Sequence, residues 1–208
     1  MQSTSILLVF CKCMNAIAEP EPQLAPPGAG LPTVELWIAR LIFSWQWRRL
    51  SRERIAEKFI QERDVILKLA KGCPAEVAAE RRLIRRLPGI EDSSRYWSVY
   101  MTLDHLNIVN RVTTITIRGL AQGHAPKMKG STANVKPSPQ ADAAAIEAFS
   151  NTCEEFLTRT REIADLHTEA RHAHPWFGPL DAAGWQAMVA MHMNLHRRQI
   201  ERILEAKA

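Results

Sequence analysis

Glycine and proline gather into a few short runs in this chain, and no other feature restricts the fold as much. The breakers fall at 20–32, 72–74, 88–89, 119–139 and 175–179, and the stretches between them carry apolar residues at three- and four-residue steps. Such stretches read as long helices. With 46% apolar and 24% charged residues, 208 residues suffice for one domain with a buried core.

Residues 1–31 read as a disordered or extended N-terminal extension, and 32–208 as a helical domain. The apolar stretch from Ile6 to Cys11 is too short to span a bilayer, and no Lys or Arg precedes it, which argues against a membrane span and a signal peptide. Four cysteines do not make a disulfide framework, and Cys11-Lys12-Cys13 lacks the gap of a zinc pair. A reducing, cytoplasmic location fits. The net charge of +5 does not imply nucleic acid, because Arg48, Arg49, Arg52, Arg54, Arg81, Arg82, Arg85 and Arg86 alternate with Glu53, Glu57, Glu62 and Glu80.

The periodicity predicts a first helix near 33–50 whose stripe of Val34, Trp37, Ile38, Leu41 and Trp45 is core. Ser51 can cap a following segment carrying Ile55, Phe59, Ile66 and Ala70, so the first helix reads as long and kinked at Leu50-Ser51. A short helix is expected over 75–87, and a long one over 93–120 with Trp97, Met101, Val109 and Val112 on one side. Another is expected over 140–166 with Phe149, Cys153, Phe156 and Leu157 inward. Asp181 caps the last, 181–206. The Gly/Pro/Lys/Ser run at 119–139 exceeds what a helical hairpin needs and suits a crossover between parallel helices.

His192 and His196 stand four apart on the apolar stripe of the last helix, so one ion can bind both if a third ligand arrives. His105 shares a side with Met101 and Val109, and the predicted boundaries place it near mid-helix, level with the pair. Three neutral histidines leave a coordination position open, as in catalytic zinc sites, and also suit nickel or iron. Such an ion lowers the pKa of a water toward ~7 and holds a thiol as thiolate. No glutamate follows His192, which argues against a zincin peptidase. His124 reads as exposed, Cys153 as a small buried hydrophobe, and the His172-x-His174 pair as lying outside the site.

Three stretches together resemble the DinB/YfiT-like family, whose members are regarded as metalloenzymes. They are Trp97-Ser-Val-Tyr-Met-Thr-Leu-Asp-His105-Leu, His174-Pro-Trp-Phe-Gly-Pro-Leu and His192-x-x-x-His196-x-x-Gln199-Ile. The resemblance implies an all-α, four-helix bundle with up-down-down-up topology, here with an extra short helix and a long crossover loop. It also implies a divalent metal, zinc, nickel or iron, on His105, His192 and His196. Some family members are thiol-dependent S-transferases using a low-molecular-weight thiol such as bacillithiol or mycothiol. By resemblance the expected partners are a small-molecule substrate and a second copy of the chain. A metal-dependent hydrolase and a non-enzymatic, stress-linked metal-binding bundle are the alternatives.

Overall fold

Ser51 accepts the amide of Arg54 at 3.3 Å and so caps a new helix at the point where the sequence suggests only a kink in a longer one. The structure, a computed structural model, describes residues 21–127 and 130–206. Expectations for residues 1–20, including Cys11 and Cys13, lie outside the described residues. Six α-helices are described: α1 (Thr33–Arg49), α2 (Arg52–Gly72), α3 (Ala75–Ala79), α4 (Val99–Ala121), α5 (Ala144–Arg161) and α6 (Ala182–Glu205). Two small antiparallel ribbons join them, β1 (Arg82–Leu83) with β2 (Tyr96–Trp97) and β3 (His172–His174) with β4 (Gly178–Leu180).

The bundle is built from α2, α4, α5 and α6, with α4 packed between α5 and α6, and α2 closing the ring against both. Side-chain pairs set the directions. Asn107 meets Thr152 and Asn110 meets Cys153, so α4 and α5 run parallel. Arg52 reaches the carbonyl of Ile163 while Arg63 pairs with Glu154, so α2 and α5 run antiparallel. His105 packs on His196 while Asn110 meets Met193, so α4 and α6 run antiparallel. The order is up, down, down, up, and the connection from α4 to α5 is the crossover that parallel neighbours require. Its centre holds Phe59, Leu103, Leu106, Phe149, Phe156, Met193 and Ile200, all fully buried, with Phe59 and Phe156 ring centres 4.6 Å apart.

Four local expectations are corrected. The predicted 75–87 helix stops at Ala79, because Arg82 and Leu83 extend to pair with Trp97 and Tyr96. The next helix is capped by Ser98, which accepts the Met101 amide at 3.1 Å, so Trp97 precedes it in an extended strand. His105 therefore sits in the second turn of α4 rather than near its middle. The helix predicted over 140–166 spans only Ala144–Arg161.

The fourth correction concerns α1. Val34, Trp37, Leu41 and Trp45, read as core, are 73%, 64%, 65% and 58% exposed, and Ile38 and Ile42 lie beside them in the open. The opposite face packs instead: Phe43 is buried and stacks on Phe177, and Trp47 covers the start of α6. Gly184 permits that approach, because a Cβ there would lie 3.1 Å from the Trp47 ring. A helix apolar on every side has no phase that local periodicity can read.

Several of the grouped arginines are held by carboxylates: Arg54 by Glu57, Arg81 by Glu21, Arg82 by Glu80 and Arg86 by Glu35. No described helix is long and apolar enough to cross a membrane.

Candidate metal centre

α6 projects His192 and His196 from one face, and α4 brings His105 opposite them from its second turn. His105 Nε2 lies 3.1 Å from His192 Nε2, and His196 Nε2 lies 3.0 Å from the same atom. All three rings are shielded from water, His105 and His196 almost completely.

Neighbouring groups fix the tautomers of two rings. His105 Nδ1–H donates to the carbonyl of Val135 at 2.6 Å, and His196 Nδ1–H donates to Gln199 Oε1 at 2.6 Å. The Gln199 amide is itself oriented, since its Nε2 donates to the Ser94 carbonyl at 2.8 Å. Both Nε2 atoms are therefore proton-free and turn their lone pairs inward. His192 Nδ1 is buried and has no partner among the described residues. Nitrogen lone pairs about 3 Å apart suit one shared ion at the ~2.0–2.1 Å zinc–nitrogen distance, so the residues present fit a divalent cation.

Burial dominates the electrostatics. It lowers the His105 pKa to about 4, although the bond to Val135 opposes it. His192 and His196 are pushed well below the ordinary histidine value, first by burial and then by the neighbouring imidazoles. Neutral rings are the ligating form. Trp97 underlies the cluster, its ring 5.1 Å from that of His105 and stacked 6.1 Å from that of His196.

The triad opens onto a cavity of about 140 Å³ lined chiefly by apolar side chains, among them Val109, Val112, Trp176, Trp185, Met188 and Leu195. Its other edge is the crossover. A single 3₁₀ turn at Thr132–Val135 carries the Val135 carbonyl to His105 and sets Lys136 beside Ser93, Ser94 and Glu91. Glu91 is buried and accepts from the amides of Gly28 and Gly30 and from the Thr132 hydroxyl. Burial raises its pKa, but these hydrogen bonds and the Lys136 charge outweigh that and hold it below the usual range.

The three histidines predicted together are found together, while His124 is exposed and Cys153 is buried at the α4–α5 seam with its thiol pKa raised by burial. The His172-x-His174 pair lies outside the triad, and His174 lines the adjoining cavity. Gln199, Glu91, Lys136 and the Val135 carbonyl are additions. Gln199 left a trace in sequence, an amide three residues after His196 on an apolar stripe, but a backbone carbonyl leaves none.

The sequence profile of the DinB superfamily matches residues 58–200, which includes all three histidines. The chain belongs to the DinB superfamily. Among solved structures it is similar to the crystal structure of TT2238, a four-helix bundle protein, with a TM-score of 0.54 and 18% identity over 73% of this chain and 98% of that one. At that identity the likeness concerns the fold. A search of curated proteins finds no match. Within this superfamily member, α1 lies before the matched region, whereas the His174 loop lies inside it.

Proposed function

We propose that this DinB-superfamily protein is a divalent-metal-dependent enzyme that holds its ion on His105, His192 and His196 and transfers a thiol to a small electrophilic molecule. The observation carrying this reading is the convergence of three Nε2 atoms, two of them proton-free because Val135 and Gln199 hold the opposite nitrogens. When bound, an ion of zinc, nickel or iron supplies an open Lewis-acidic position that favours the thiolate. The chain's own residues orient the imidazoles, keep them neutral and line the adjoining cavity with apolar walls.

Elemental analysis of protein purified without an affinity tag tests the centre. Wild type retains about one ion per chain, and His105→Ala and His192→Ala lose it. Unchanged metal content in both variants would sink the triad. Incubating the loaded protein with low-molecular-weight thiols and electrophiles tests the reaction, and turnover without thiol would favour hydrolysis instead.

A second copy of the chain is the partner assigned to the outer face of α1. Its six exposed apolar side chains offer on the order of 700 Å², more than monomers usually leave open and near the ~800 Å² per partner of a standard interface. The cytoplasmic assignment rests on the sequence, whose four cysteines do not make a disulfide framework.

A further inference from the structure

The loop from His174 to Gly178 has no part in the triad, yet it borders the same cavity. His174, Pro175 and Trp176 line it together with Trp185. Gly178, at φ 73°, lets the chain turn between β3 and β4 and so brings the His174 ring back over its own loop.

The hydrogen bonds of that ring fix its tautomer. The amides of Trp176 and Phe177 both donate to His174 Nδ1, at 3.1 and 3.4 Å. Nδ1 therefore carries the lone pair, and the ring proton resides on Nε2. Among the described residues Nε2–H meets no acceptor. Stacking on Phe177 at 4.8 Å and an edge contact to Trp185 at 5.4 Å hold the ring plane. Burial, with a smaller contribution from His172, lowers the His174 pKa to about 4, so the ring is a neutral donor near neutral pH.

The rest of the wall limits what that donor can meet. Outside the triad, the charged residues lining the cavity are Glu91 and Lys136, which face one another at 3.7 Å. Lys136 also donates to Ser93 and Ser94. Neither charge is left to neutralise an ion of opposite sign.

We propose that His174 is a substrate-binding residue whose Nε2–H donates to an acceptor oxygen on an uncharged, mostly apolar small molecule. This assigns a substrate class to the cavity beside the triad, and it rests on the reading of that cavity as the substrate chamber. The thiol partner then enters at the open coordination position, and the electrophile is the molecule that His174 holds.

Two substitutions separate recognition from bracing. His174→Asn keeps a side-chain oxygen for the Trp176 and Phe177 amides and removes the outward donor. His174→Gln keeps an N–H near the position of Nε2 and removes the inward acceptor. Ligand-observed NMR titrations of the full chain in chelator, without metal, compare acetophenone with ethylbenzene, which match in size and differ in the carbonyl oxygen. The ratio of dissociation constants, ethylbenzene over acetophenone, is expected to fall about three- to tenfold in His174→Asn. It should stay near the wild-type value in His174→Gln, whose melting temperature drops. An unchanged ratio in His174→Asn, loss of the preference only in His174→Gln, or no binding of either probe to wild type overturns the proposal. Because no ion is present, a triad that fails to retain metal leaves this result standing, and failure here leaves the metal analysis untouched.

Discussion

Gln199 Oε1 lies 2.6 Å from His196 Nδ1, and the same amide donates to the carbonyl of Ser94 at 2.8 Å. One fully buried side chain thus orients a candidate ligand and ties α6 to the segment leading into α4. Replacing it with Leu removes the acceptor that keeps His196 Nε2 proton-free and orphans the Ser94 carbonyl. Metal affinity, measured by competition with a chromophoric chelator, should fall about tenfold to a hundredfold while all three histidines remain. The orphaned carbonyl should cost about 1–3 kcal/mol in denaturant unfolding.

Acid should destabilise the metal-free protein through the triad. Folded His105 takes a proton only near pH 4, whereas an unfolded imidazole does so near 6.5. Between those values the unfolded state holds more protons, so stability rises with pH and is lost as pH falls through the window. His105 is almost wholly buried, and its share is on the order of 3 kcal/mol. His192 and His196 act in the same direction. In chelator, the melting temperature should fall between about pH 7 and about pH 4.5, and fall less in His105→Gln. A flat profile in wild type contradicts the buried, neutral cluster.

The bundle and its triad were legible because both rest on local regularities: breakers that delimit helices, and an i, i+4 spacing that places two imidazoles on one face. What escaped was set by contacts distant in sequence. Trp97 fits the apolar spacing of α4, yet pairing with Arg82 extends its backbone and shortens the helix. The triad meets in spite of this because α4 runs antiparallel to α6, so its second turn reaches past the middle of α6. Which side of α1 faced inward depended on Gly184 admitting Trp47, a fit that no periodicity encodes. The Pro- and Gly-rich loop around His174 carries no periodicity that would place it, whereas the β3–β4 ribbon gives it a defined place on the cavity wall.

Glu91 should behave as the clamp joining residues 25–30, the turn at 91–94 and the crossover. It accepts from Gly28 and Gly30 at 3.2 and 3.3 Å and from Thr132 at 2.8 Å, with Lys136 3.7 Å away. Glu91→Gln removes the charge and leaves Lys136 without its counterion, at a cost of about 3 kcal/mol. Hydrogen exchange at the Gly28 and Gly30 amides should accelerate together with exchange over 132–136. Acceleration in only one of these segments would mean that they are anchored independently.

The exposed stripe of α1 yields the prediction about assembly. Trp37 and Leu41 stand at its centre, 64% and 65% exposed, and the helix lies before the residues matched by the DinB profile. Trp37→Glu and Leu41→Glu place a charge on an already open surface, so the fold should tolerate either. If the stripe joins two copies, light scattering should give twice the chain mass for wild type and the chain mass for both variants. Metal content should not change, because α1 supplies none of the three histidines. A wild type that is monomeric at tens of micromolar would remove the second copy as the occupant. Binding to anionic lipid vesicles, abolished by the same substitutions, would instead assign the stripe and the adjacent Arg48 and Arg49 to a membrane surface.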